Sequence, residues 1–278
     1  MSIVDKDPFG ARIKEYEKAT ETYLTPSDYT VVRIDGHGFS KWTKGFEKPF
    51  DELLTKLMSE TSRLLMDEFH AVSAYSQSDE ITLIFQPSHE VGVQGVSGFI
   101  YAGRVQKIVS LMASFASMTF NELLREALIV ELKRDMLNET ISPRRELIKS
   151  KIGKAFFDAR VFQVPTDTEA YNAFLWRTKD CERNSKNVFA QSILTHKQCM
   201  HKTSNELVEV CKEMGFNWNL LNDRYKFGVL WKKGTMEVDA VDFYTKNPIK
   251  VKRSYFLEIS KQWNFNDTDV TYVLSKKV

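Results

Sequence analysis

The residues with the clearest chemistry are two carboxylates, each at the end of a short strand-like run. Asp35 closes Val31-Val32-Arg33-Ile34 and is followed by Gly36-His37-Gly38. Asp79 stands 44 positions later, in Ser78-Asp79-Glu80, just ahead of the apolar run 81–85. Two carboxylates at neighbouring strand ends suit Mg²⁺, a hard cation commonly held by one or two carboxylates plus substrate phosphates. The Gly36 carbonyl can add a ligand, because glycine permits close approach. Metals held this way activate an attacking hydroxyl and stabilise a departing oxygen, the chemistry of phosphoryl or nucleotidyl transfer. Read singly, either Asp is equally a turn or cap residue, and Glu80 a solvated turn acid.

Such a site also needs cations for phosphate. Lys48, Arg104 and Lys107 are candidates, since ammonium and guanidinium groups neutralise phosphate oxygens. By spacing alone each is an ordinary surface base. His37 has no Cys or helical His partner. The Gly36-His37-Gly38 piece lacks the Lys-Ser/Thr ending of a P-loop, and no G-x-G-x-x-G follows it.

The elements that must position these residues read as follows. A charged helix over 10–22 buries Ile13, Tyr16 and Ala19. A strand spans 29–34, and 39–49 is a loop with Lys41, Lys44 and Lys48 among Trp42 and Phe46. Asp51 caps a helix running to Phe69. Strands at 71–75 and 81–85 form a hairpin around Ser78-Asp79-Glu80. Residues 87–98 look like a loose loop. A helix starts near Phe99 and runs to about Leu124 or beyond, burying Ile108, Leu111, Met112, Phe115 and Leu123. A strand over 158–164 is stopped by Pro165. The order βαββαβ predicts an α+β, ferredoxin-type antiparallel sheet with two helices on one face.

Residues 125–155 interrupt that plan with a dense run of bases and acids, read as a solvated face or an RNA-contacting arm. Beyond them, 167–176 and 180–213 look helical. Segments 226–230 and 235–243 suggest a hairpin, and 251–259 a final strand. Domain boundaries are soft; the expected division is 1–165, including the basic insertion, and a helical and hairpin region 166–278 that contacts RNA.

Bulk properties exclude little. The chain has 278 residues, a net charge of +2, 42% hydrophobic and 27% charged residues, values ordinary for a folded domain. Any basic surface must therefore be local. Cys181, Cys199 and Cys211 form no Cys-x-x-Cys pair and read as reduced thiols. No apolar run approaches the ~20 residues that span a bilayer. Residues 1–18 resemble neither a secretory signal nor a typical transit peptide. The expectation is a cytoplasmic protein, with mitochondria the alternative.

Across Arg33-Ile34-Asp35-Gly36-His37-Gly38-Phe39, Lys48-Pro49 ahead of Asp51, and Tyr75-Ser76-Gln77-Ser78-Asp79-Glu80, the chain resembles the tRNA-His guanylyltransferase family. The likeness continues through Arg104-Val105-Gln106-Lys107, Phe157-Asp158-Ala159-Arg160-Val161 and Trp176-Arg177 ahead of Asp180-Cys181. It covers roughly 10–195 and fades after Ser192. The resemblance implies a polymerase-palm-like fold with a mainly helical C-terminal extension. It implies two Mg²⁺ ions held by Asp35, the Gly36 carbonyl and Asp79, with Glu80 a catalytic residue beside them. It implies that Lys48, Ser78, Arg104, Lys107 and Asn184, with His37, Gly38 and Phe39, bind nucleotide. The substrates implied are ATP, GTP or other nucleoside triphosphates and the 5′ end of tRNA, in a homo-oligomer, a tetramer by resemblance.

Members that add guanosine to histidine tRNA carry His-Ile-Asn-Asn-Leu-Tyr-Asn after the cysteine. Here Glu182-Arg183-Asn184-Ser185-Lys186-Asn187 stands there, and His37 replaces the usual arginine. The chain thus looks most like the guanylyltransferase-like branch, which extends truncated tRNAs by template-directed 3′-to-5′ addition. The alternatives are guanosine addition specific to histidine tRNA, a palm-fold nucleotide cyclase, and a non-catalytic RNA-binding protein resting on 125–155 with Trp42 and Phe46.

Overall fold

The computed structural model describes residues 8–88 and 99–278. Most of the loop expected at 87–98 therefore lies outside the described residues. The elements follow in chain order: α1 (Pro8–Ala19), β1 (Tyr29–Gly36), α2 (Phe39–Trp42), α3 (Glu52–Phe69), β2 (Ser73–Gln77) and β3 (Glu80–Phe85). Then come α4 (Val105–Asn138), α5 (Pro143–Lys151), β4 (Phe157–Val164), α6 (Asp167–Gln191), α7 (His196–Cys199) and α8 (Ser204–Glu213). The chain closes with α9 (Asp223–Phe227), β5 (Val229–Val241), β6 (Pro248–Ile259) and α10 (Asp267–Leu274).

The six strands form one antiparallel sheet in the order β4-β1-β3-β2-β5-β6. The first four are the expected βαββαβ unit. β5 then hydrogen-bonds to β2, so the sheet runs on past residue 165.

Strand alternation sorts side chains onto two cores. Val32, Ile34, Ile81, Leu83 and Phe157 face α3 and α4, packing with Leu65, Met66, Met112 and Phe120. Tyr29, Ile84, Val72 and Tyr75 face the other way, against Tyr171 and Phe174 of α6 and Val273 of α10. Each such fully buried side chain contributes about 1.5–3 kcal/mol. The C-terminal helices thus cover the sheet face that α3 and α4 leave bare.

Several expectations change. Ile13 and Tyr16 on α1 are exposed, because among the described residues no element packs over that face. Leu111 on α4 is also partly exposed, at 39%. α4 starts at Val105 and continues unbroken to Asn138, about 51 Å at 1.5 Å per residue. The segment at 167–176 and the first part of 180–213 share one helix, α6, started by the Thr166 side chain accepting from the Glu169 N–H at 3.2 Å, and the rest of 180–213 is broken into α7 and α8. Residues 39–49 contain α2. Tyr225 and Lys226 fall in α9, while β5 is one 13-residue strand. Trp42 and Phe46 are buried, stacked at 5.5 Å in the α3/α4 core, and so cannot be surface aromatics for RNA.

Candidate active site

The two predicted tips meet at one end of the sheet. β1 and β3 pair so that Asp35 lies opposite Glu80, and β4 sets Asp158 opposite Asp35 on the other side. The Gly36 N–H donates to the Asp79 carbonyl at 2.9 Å, which ties the tips together. Gly36 is required there: a Cβ would sit 2.4 Å from the Phe39 ring, itself fixed in the core. After it, His37 is exposed and donates its N–H to the Phe156 carbonyl at 2.8 Å. Gly38, at φ 65°, turns the chain into α2. Ser78 takes a similar left-handed conformation, φ 48°, at the β2–β3 turn.

Asp79 opens onto a pocket of about 330 Å³ lined also by Ser78, Lys48, Phe39, Phe46 and Phe120. That volume and its mostly apolar wall suit a small ligand. Burial, and next the nearby Asp35 charge, hold the Asp79 carboxyl above its usual range, against its own N–H and the Ser78 hydroxyl. A buried carboxylate beside a second one is a charge that a divalent cation would relieve. Asp35, Asp79 and the Gly36 carbonyl are hard oxygen donors and fit Mg²⁺. Among the described residues no group of three or more His, Cys, Asp or Glu side chains forms a metal cage. Magnesium asks for none where substrate phosphates complete its shell.

Glu80 plays a different part. Alternation puts it, with Asp35, on the α6 side of the sheet. Arg177 of α6 grips both its oxygens, at 2.6 and 2.7 Å, and also bonds Asp180 at 3.1 Å. Burial still raises the Glu80 carboxyl, with Arg177 opposing. Its carboxylate is committed to holding α6 against the tip.

The other predicted residues separate. Lys48 lines the Asp79 pocket. Asn184 lines an adjoining 140 Å³ pocket that shares Ser78, with Phe50 and Tyr225 stacked at 4.8 Å in its wall. Its amide donates to Asp180 at 3.2 Å. Arg104 and Lys107 sit at the N-terminal end of α4, about 24 and 20 Å along the axis from Phe120. There Arg104 pairs with Glu21, its Nε at 2.9 Å, and Lys107 lies 5.2 Å over the Tyr101 ring. Within this chain the two bases are not brought to the pocket.

Sequence reasoning missed a second support. Asp51 is both cap and clamp: its carboxylate accepts from the Leu54 and Glu47 N–H groups, at 3.2 and 3.0 Å. Arg144 of α5 fills the remaining lone pairs at 3.2 and 3.0 Å. Asp51 lines the pocket yet is almost fully buried, so α5 braces the pocket loop. No sequence signal joins the two, which are 93 residues apart.

Comparison with known proteins agrees with this architecture. Residues 10–165 match the family model described as tRNA-His guanylyltransferase. An uncharacterised protein of Acanthamoeba polyphaga mimivirus is 30% identical over 99% of this chain and 92% of its own length. The tRNA(His) guanylyltransferase of Schizosaccharomyces pombe is 28% identical over 89% of this chain and 88% of its length. A bacterial tRNA(His) guanylyltransferase-like protein solved in complex with GTP superposes with a TM-score of 0.68 at 28% identity, covering 97% of this chain and all of its own. The same kind of protein in complex with ATP gives 0.67 at 31% identity, covering 80% and 87%. Matched over more than half its length and sharing the fold, this chain belongs to the tRNA-His guanylyltransferase family.

Proposed function

We propose that this protein is a nucleotidyltransferase that adds nucleotides in the 3′-to-5′ direction to the 5′ end of tRNA, and that it repairs 5′-truncated tRNAs. The observation that carries the reading is the position of Asp79. It lines the pocket beside Lys48 and is tied through its backbone to Gly36, next to Asp35. A nucleoside triphosphate fits that pocket, its sugar and base against Phe39, Phe46 and Phe120 and its phosphates toward Lys48. The solved relatives with ATP and GTP support this class of ligand.

Asp35, Asp79 and the Gly36 carbonyl would hold Mg²⁺, which when bound supplies Lewis acidity to the attacking hydroxyl and the leaving oxygen. The residues themselves orient the reaction. The pocket presents the 3′-hydroxyl of the incoming nucleotide to an activated 5′ phosphate of the RNA. A new 3′–5′ phosphodiester forms as the activating group departs. Lys48 balances phosphate charge, and Phe39 with Phe120 excludes water. Glu182-Arg183-Asn184, where strict guanosine-adding members carry another motif, supports the broader, template-directed reaction. Exposed Tyr16 on α1 and Met136 and Leu137 on α4 support assembly of several copies. No described helix is long and apolar enough to cross a membrane.

The test is extension of a tRNA transcript lacking its 5′ nucleotide, with ATP, GTP and Mg²⁺. Growth by the residue complementary to the opposite strand is expected. A wild-type protein that extends neither the truncated nor the intact transcript overturns the reading.

A further inference from the structure

The nucleotide pocket lies on the α3/α4 side of the sheet, while Asp35 and Glu80 fall on the α6 side. A reaction between a nucleotide and an RNA end needs the second reactant to reach the tips from the direction the first leaves free. On the α6 side that direction is a strip of three arginines and a tryptophan. Arg33 stands two residues before Asp35, hence on the same face, and Arg160 lies directly across from it on β4. Trp176 of α6 receives the Arg33 guanidinium at 5.6 Å from its ring and that of Arg177 at 4.5 Å.

The charges on this strip are unequally spent. Glu80 gives both oxygens to Arg177 and lies 3.8 Å from Arg33 Nε, too far for a hydrogen bond. That buried Nε has no hydrogen-bond partner among the described residues. Arg160 is more than half exposed and, among the described residues, its ion-pair partner is Asp158, at 3.7 Å. Trp176 is 57% exposed, although two cations already approach it. An indole flanked by two guanidiniums, with much of its surface in water, is a stacking surface for a nucleobase. Arg160, exposed and only loosely paired beside it, suits phosphate oxygens.

We propose that Trp176, with Arg33 and Arg160, forms the platform on which the 5′-terminal nucleotide of the RNA acceptor lies. It is separate from the nucleotide pocket and on the opposite face of the sheet. The assignment rests on the RNA-extending reading above and names the surface that would deliver the RNA. Arg177 and Glu80 are positioning residues: their bidentate pair sets the angle of α6 and so the place of the indole.

The experiment compares wild type, Trp176→Ala, Trp176→Phe and Arg160→Ala on the truncated transcript, with KM taken separately for RNA and nucleotide. Trp176→Ala should raise the RNA KM about 10-fold, within the range for loss of one base stack, with nucleotide KM and melting temperature unchanged. Trp176→Phe should recover most of that loss, and Arg160→Ala should lower the salt dependence of RNA binding. An unchanged RNA KM in Trp176→Ala overturns the platform while leaving the extension reading intact. So does an equal rise in both KM values that phenylalanine fails to rescue. If wild type extends no RNA, that reading fails instead. The platform is then judged by equilibrium binding of the same transcript to wild type and Trp176→Ala, equal affinity overturning it.

Discussion

The two sides of the sheet end are built on opposite principles. On the α3/α4 side a half-open pocket is walled in part by aromatic core residues, and its loop is locked by one carboxylate, Asp51, with four donors. On the α6 side the surface is open, and its order comes from guanidiniums gripping Glu80 and flanking Trp176. Asp79 belongs to the first side and Asp35 to the second, and the bond from the Gly36 N–H to the Asp79 carbonyl joins the two tips. A small ligand is enclosed by packing, while a large one must be met by a surface. Under the proposals above, the two reactants come to two faces and the chemistry falls to the seam.

That contrast can be broken at the seam first. Asp79→Asn keeps the side chain's shape and removes the charge, so turnover should fall on the order of 10³-fold, the upper range for losing one transition-state electrostatic contact. Single-turnover extension with saturating RNA and nucleotide measures it. A fall under 10-fold would make Asp79 a turn residue only. Next, Arg144→Ala leaves the Asp51 carboxylate buried with only its two backbone partners. Stability should drop by roughly 3 kcal/mol, the low end for breaking a buried ion pair, read by urea denaturation. The surviving folded protein should show a raised KM for nucleotide alone. A raised RNA KM instead would blur the two faces into one site.

Lys48→Ala should weaken nucleotide binding by about 10-fold, the scale of one charge-assisted contact, without touching RNA affinity. Titration of ATP against the RNA-free protein reads it. The smallest effect lies away from both faces. Burial lowers the Lys232 ammonium from 10.5 to about 7. Between those values the unfolded chain binds the extra proton, so stability rises with pH, by at most about 1.4 kcal/mol per unit. Lys232→Met should flatten that rise between pH 7 and 9 in parallel melts, with both KM values unchanged. A slope that persists in the variant would assign it to other groups.

Much of the seam could be read from residues alone. Asp35 ends one apolar strand-like run and Asp79 stands just ahead of another, and glycine beside Asp35 announces a close approach. Asp51 was legible as a helix cap because its partner, Leu54, is three residues away. Residues whose partners are distant in sequence were not legible. Glu80 reads as a turn acid until Arg177, 97 residues on, takes both its oxygens. Arg104 and Lys107 follow family order, yet α4 carries them away from the pocket because a helix converts 16 residues into length. On α1, Ile13 and Tyr16 have core spacing but no facing element among the described residues. Periodicity reveals a stripe and is silent on what meets it.

The pairing of β5 with β2 has its own consequence. Tyr75 donates its hydroxyl to the Phe227 carbonyl, 152 residues away, and Lys232 donates to the Val72 carbonyl, 160 residues away. While the chain is being synthesised, β2 can join β3 early, but its outer rim of amide groups stays bare until residues 229–232 emerge. Bare strand rims recruit other chains. A protein stopped near residue 165 would therefore carry both carboxylate tips and a sticky border beside them. The late strand acts as a seal, and the last quarter of the chain guards the solubility of the first.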